Sequence, residues 1–220
     1  MKQLLILLII FCIYGVYSKK YLPKLSFPLQ LSGNLEIISH LIEEDSDYPP
    51  KTRHYSIYYD YENKRARADI EGGYEAAKYY IRRYDQKKEY MVRLPPIDDC
   101  KRSYLGETMP YPEFPEDTEY IGEETINDIP SYHFVYQEYD IRVHIYMSIE
   151  DNSPVMLFQE QIEDDSQTSI PLLTYQYSDI TLGPPDDSWF ELESPFDHKS
   201  CDRHVGGFPY LHIFHYFVRF

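Results

Sequence analysis

Five side chains near the C-terminus are of metal-ligating type and lie close together: His198, Cys201, His204, His212 and His215, spaced His-x2-Cys-x2-His-x7-His-x2-His. A zinc ion takes three or four such nitrogens and thiolates at roughly 2.0–2.3 Å in a tetrahedral array. This spacing follows no standard zinc frame, and Cys201 is wanted for a disulfide. His212 and His215 stand among Phe214, Tyr216 and Phe217, where an imidazole packs as a half-apolar ring. The segment therefore reads as a packing tail, and the chain as one without metal or cofactor.

Nucleophilic and acid–base chemistry find equally little. No Gly-x-Ser-x-Gly elbow and no His-Glu-x-x-His pair occurs. The adjacent carboxylates Glu123 and Glu124, and Asp186 and Asp187, point apart in a strand or belong to a turn, so neither pair can flank one bond. Gly72-Gly73 and Gly206-Gly207 lack the Lys-Ser/Thr and helix that make a phosphate cradle. The acidic clusters at Glu43, Glu44, Asp45, Asp47 and at Glu163, Asp164, Asp165 lack the spacing and glycine of an EF-hand loop. A non-enzymatic protein is expected.

The elements that must position these side chains begin after residue 18. Lys2, the apolar run Leu4 to Ile13, and Val16 and Ser18 at minus three and minus one compose a cleavable secretory signal over residues 1–18. Gly15 and Ser18-Lys19-Lys20 close the run short of a membrane span. The expectation is a secreted, extracellular protein with one β-rich domain over residues 19–220, ending in a His- and aromatic-rich segment at 196–220. The 220-residue chain carries 21 basic and 37 acidic residues, a formal net charge of −16. That field repels nucleic acid and anionic membranes and favours basic partners. Loss of Cys12 with the signal leaves Cys100 and Cys201, expected to pair in an oxidising compartment.

Tyrosine is abundant, at 24 residues, and recurs in alternating or paired positions rather than at helical spacing. Strands are expected at residues 35–43, 54–61, 65–70, 78–84 and 88–94, then at 132–139, 141–148, 155–162, 170–177 and 179–182. Their short connections imply antiparallel hairpins, in a sheet of roughly eight to eleven strands. Residues 95–118, with Pro95, Pro96, Pro110, Pro112 and Pro115, read as an irregular crossing held by Cys100. Asp186-Asp187-Ser188-Trp189-Phe190 reads as a capped turn placing the single tryptophan.

Alternation in β-strand 141–148 puts Val143, Ile145 and Met147 on one face and Arg142, His144 and Tyr146 on the other. The apolar face must be covered by another layer or by a ligand. If the cover is incomplete, Val143, Ile145, Met147, Tyr80 and Met91 would line a site for a lipid or other small apolar molecule. The competing expectation is an acidic extracellular interaction protein that binds basic or matrix partners, or Ca²⁺, over a filled core.

The phrases Tyr58-Tyr59-Asp60-Tyr61, Asn63-Lys64-Arg65-Ala66-Arg67, Tyr84-Asp85 and Lys87-Lys88-Glu89-Tyr90, with Cys100, are similar to the opening of extracellular LolA-like and ependymin-like domains. The second stretch, Tyr120 to Asn127, followed by Ser153-Pro154-Val155 and Pro185 to Phe190, resembles the N-terminal non-catalytic region of some animal papain-like proteases. The likeness spans about residues 34–194. Ser131 stands where those protease-linked domains tend to carry a cysteine, which again directs Cys100 to Cys201. No papain-like catalytic domain follows. The resemblance implies a mainly β fold, a curved antiparallel half-barrel with short helices or loops on its concave face, used elsewhere for lipid carriage.

Overall fold

The structure is a computed structural model that describes residues 23–46, 50–71, 78–163 and 168–208. The expected signal segment, His212, His215, Asp47, Gly72, Gly73, Asp164 and Asp165 lie outside the described residues.

Consecutive strands pair antiparallel in two meanders. The first runs β1 (Gln30–Ser39), β2 (Thr52–Asp60), β3 (Arg65–Ile70), β4 (Lys78–Arg83), β5 (Lys88–Arg93) and β6 (Asp99–Tyr104). The second runs β7 (Glu119–Ile126), β8 (Ile129–Glu138), β9 (Ile141–Ser148), β10 (Pro154–Ile162) and β11 (Ser169–Leu182). A two-residue strand, β12 (Asp202–Arg203), adds parallel to β6. The spatial order is β12-β6-β5-β4-β3-β2-β1-β11-β10-β9-β8-β7, one curved sheet of twelve strands that does not close into a barrel. This is the mainly β, largely antiparallel architecture expected. The only helical elements among the described residues are two single 3-10 turns, at Tyr84–Gln86 and Asp187–Phe190.

The two meanders are joined where β1 pairs antiparallel with β11, from Leu31 opposite Leu182 to Ser39 opposite Leu173. Period-two alternation then sends one set of side chains to each face. Leu31, Leu35 and Ile37 of β1, Tyr55, Ile57 and Tyr59 of β2, Ala66, Ala68 and Ile70 of β3, and Val143, Ile145 and Met147 of β9 all enter one core. We call the face that bears this core the inner face. Non-strand segments pack into it: Phe27 before β1, Leu105, Met109 and Phe114 of the β6–β7 crossing, and Phe208. Phe27 meets Tyr59 edge-on at 6.2 Å and Phe114 at 6.4 Å, and Phe208 lies 6.1 Å from Tyr80.

The outer face of β4–β6 carries a second, smaller core of Tyr79, Ile81, Tyr90 and Val92, on which Leu192 and Phe196 pack. The disulfide Cys100–Cys201 is buried in it and links residues 101 apart. Closing a loop of that length contributes about 4–5 kcal/mol in the chain-entropy account. Asp186 caps the second 3-10 turn by accepting from the Ser188 N–H, as the acidic pair before Trp189 implies.

That turn is clamped to the sheet by Arg67, which is 3% exposed. Its guanidinium donates to both carboxylate oxygens of Asp69 at 2.6 and 2.9 Å, to Glu193 at 2.7 Å and to the Trp189 carbonyl at 3.2 Å. It also sits 4.2 Å over the Tyr79 ring, while Trp189 stacks on Tyr58 at 4.1 Å. Removing a buried guanidinium leaves its carboxylates without a counter-charge. Arg67→Met is therefore expected to cost about 3 kcal/mol, the low end for a broken buried pair, because Asp69 keeps some contact with water. Urea unfolding followed by Trp189 fluorescence checks this: the midpoint falls at unchanged slope, and an unmoved midpoint contradicts the clamp.

Candidate functional site

The inner-face residues expected to line a ligand site lie together, but inside the packed core. Tyr80 is 2% exposed, Val143 3%, Ile145 1% and Met147 1%, and Met91 is half-buried against the same cluster. The crossing that covers this face is tied down by polar contacts as well. Arg82 of β4 donates to Glu107 of the crossing at 2.6 Å and lies 3.4 Å from Glu89 of β5. Glu89, 1% exposed, accepts the Phe208 N–H at 3.2 Å. Burial pushes the Glu89 carboxyl above its ordinary range, against the lowering effects of the Arg82 charge and the Phe208 N–H.

The histidines of the tail separate. His198 Nε2 accepts from Arg102 Nη1 at 2.7 Å, which leaves Nδ1–H to donate to the Tyr90 hydroxyl at 2.9 Å. His204 stacks on Phe208 at 4.9 Å, and Cys201 is in its disulfide. Among the described residues no group of three or more His, Cys, Asp or Glu could hold a metal ion.

The outer face of β7–β10 holds a cluster that composition alone does not reveal. Glu124 Oε1 lies 2.7 Å from His133 Nδ1, His133 Nε2 lies 2.9 Å from His144 Nδ1, and His144 Nε2 lies 3.1 Å from Glu160 Oε1. Tyr146 stacks on His133 at 4.5 Å, Phe158 tilts against His144 at 5.7 Å, and Arg142 and Ser169 also reach Glu160. Two neutral imidazoles bring two N–H groups to three contacts.

Burial holds His133 below its usual 6.5, with the Glu124 hydrogen bond and charge pulling up and His144 pushing down. Burial alone would raise Glu160, but the hydrogen bonds from Ser169 and His144, and the charges of His144 and Arg142, hold it below 4.5.

The signal for this chain was in the hairpin. With Tyr139 and Asp140 at the corner, register sets His133 opposite Tyr146 and Val135 opposite His144, so the two histidines are diagonal neighbours. Alternation puts His144 with Arg142 and Tyr146 on the wet face, and only the hairpin register brings His133 beside it.

The native pKa of His133 lies below its unfolded value, so the unfolded chain binds more protons between the two. This group's contribution to stability is present above pH 6.5 and is lost as pH falls below it. Proton NMR of the His133 ring should give a midpoint below 6.5, shifted further down in Glu124→Gln, which removes the two raising effects. A midpoint at or above 6.5 contradicts the assignment.

Comparison with known proteins bears on the fold. No protein-family model and no curated protein sequence matches the chain. Among solved structures, it is similar to an uncharacterized conserved protein from Thermus thermophilus over 82% of this chain and 92% of that one, at 9% identity and a TM-score of 0.50. Looser similarity is found to MucB in complex with MucA(peri), at 11% identity, 75% of this chain, 54% of that chain and a TM-score of 0.41. PNGF-II is similar at 5% identity, over 80% of this chain and 31% of that chain, with a TM-score of 0.35.

Proposed function

We propose that this chain is a non-enzymatic extracellular binding protein that engages partners with its surface, over an inner face filled by its own residues. The observation that carries this reading is the burial of Tyr80, Val143, Ile145 and Met147 in one core with Phe27, Leu105, Met109 and Phe208. An apolar ligand on that face would have to displace the crossing and break the Arg82–Glu107 pair. The buried disulfide supports an oxidising compartment. No span-length apolar helix occurs among the described residues.

The surface offered to a basic partner is the β7 end of the sheet. From Tyr111 to Ile141 the chain has nine carboxylates and no lysine or arginine. Glu113, Glu116, Asp117, Glu119, Glu123, Glu124 and Asp128 are exposed there. Fields of one sign recruit partners of the other and speed their encounter, at low salt above all. Strand addition is the less suited mode, because β7 carries a bulge at Ile121 and a row of acidic side chains, both of which blunt an edge.

Native mass spectrometry of the full chain expressed through a secretory host, with solvent extraction of a parallel sample, tests the filled inner face. The expected result is protein of bare chain mass with one disulfide. A stoichiometric lipid or other apolar molecule would overturn it in favour of a carrier.

A further inference from the structure

At the edge of the sheet remote from β7 lies a cleft of about 830 Å³ whose lining has the opposite sign from the rest of the molecule. Lys87, Lys88, Arg102 and Arg203 border it with His198 and His204, and among the described residues its lining includes no Asp or Glu. Six other arginines, Arg65, Arg67, Arg82, Arg83, Arg93 and Arg142, each hold a carboxylate. Lys87, Lys88, Arg102 and Arg203 pair with none among the described residues.

The backbone forces these cations together. In the parallel pairing of β12 on β6, Arg203 stands beside Arg102, and in the β5–β6 hairpin Lys88 lies opposite Tyr104, diagonal to Arg102. Like charges in such neighbouring positions destabilise a sheet. The His204 N–H donates to the Arg102 carbonyl at 2.8 Å and holds that register. Lys87 is brought to the same rim by its left-handed turn, at φ 54°. Arg102 is fixed in place by donating from Nε to the Cys201 carbonyl at 3.0 Å and from Nη1 to His198, which orients its guanidinium before any ligand arrives. The positive potential is felt by His198, lowered by burial and by the Lys88 and Arg102 charges.

We propose that this cleft binds a short anionic carbohydrate through its sulfate or phosphate ester groups. Guanidinium and ammonium groups bind such oxyanions through charge-assisted hydrogen bonds, with arginine matching two oxygens at once. Four cations around one cleft suit a multiply charged ligand, which would relieve the Arg102–Arg203 repulsion. Tyr104, 69% exposed with its ring edge 3.4 Å from the position a Cβ on Gly106 would take, offers an aromatic face to a sugar ring. The cleft falls within the roughly 300–1,000 Å³ of small-ligand sites, room for a few sugar units. A long polyanion would meet the acidic remainder of the surface, with a chain net charge of −16.

Isothermal titration of the disulfide-linked full chain with a fully sulfated heparin tetrasaccharide, at about 50 mM salt, tests the proposal. Binding is expected, and the doubly substituted Lys88→Ala/Arg203→Ala chain should bind about tenfold or more weakly at an unchanged melting temperature. Lys51→Ala, remote from the cleft, should bind as the parent does, and the desulfated tetrasaccharide should not bind. Inositol hexakisphosphate as a second probe separates the two ester sources: tighter binding than the tetrasaccharide assigns the site to phosphate esters, weaker binding to sulfate esters. No heat from either probe, equal affinity in the double variant, or equal binding of the desulfated sugar would overturn the proposal.

Discussion

A single-layer sheet with one strongly apolar face is unstable in water until that face is covered, and the arrangement of this molecule follows from how the cover is made. Two meanders zipped at β1–β11 present their inward-facing Leu, Ile, Val, Met and Tyr side chains to the same side. With no second sheet or long helix among the described residues to lie over them, the cover comes from irregular chain: Phe27 ahead of β1, the Pro-rich crossing with Leu105, Met109 and Phe114, and Phe208. Irregular segments carry backbone groups and charges that a helix would satisfy internally. The Arg82–Glu107 pair, and Glu89 on the Phe208 N–H, anchor two of these segments where they cross β4 and β5.

Among the described residues, the other face is covered at one end. Residues 187–203 lie on β3–β6, held by Arg67, by the Trp189–Tyr58 stack and by the Cys100–Cys201 bridge. At the opposite end, the outer face of β7–β10 keeps a polar surface in which carboxylates and imidazoles satisfy one another from Glu124 to Glu160. The strand order thereby separates charge. Strands β7 and β8, without lysine or arginine, form one end of the sheet, and Lys88, Arg102 and Arg203 gather at the other. A chain acidic on average thus presents two surfaces of opposite sign at opposite ends of the sheet.

Much of this was legible in the sequence. Residues 65–70 and 141–148 read as strands with the boundaries the structure has, because the polar pairs Asn63-Lys64 and Tyr139-Asp140 set their starts. The pairing of Cys100 with Cys201 and the capped turn before Trp189 were also readable from residue types alone. The strand expected at 35–43 is displaced to Gln30–Ser39, since Leu31 reaches the core across Gly33, and a glycine at that point reads as a break. Strands β6 and β7 were missed. Asp99–Tyr104 is mostly charged and polar, and Glu119–Ile126 is an edge strand exposed along most of its length, so neither shows the apolar alternation of a half-buried strand. The runs at 170–177 and 179–182 are one strand, β11, continuing through Asp179 at φ 53°. At the site, alternation puts Val143, Ile145 and Met147 on one apolar face, and Tyr80 and Met91 pack against the same core, but what covers a face depends on contacts between distant segments that alternation cannot report. The cationic cleft was invisible for the same reason: Arg203 joins Lys88 and Arg102 only through the parallel bridge of β12 on β6.

The central claim is that the crossing is part of the core and not a lid over a ligand site. Leu105 is 4% exposed and Met109 7%. The most direct measurement is the unfolding free energy of the ligand-free protein with Leu105→Ala and Met109→Ala, each made singly. If these side chains fill the inner face, each truncation costs about 2–5 kcal/mol, the range for deleting a buried Leu or Met side chain. A loss below about 0.5 kcal/mol, the scale of surface substitutions, would contradict the account and show the crossing to be a cover that the folded core does not need.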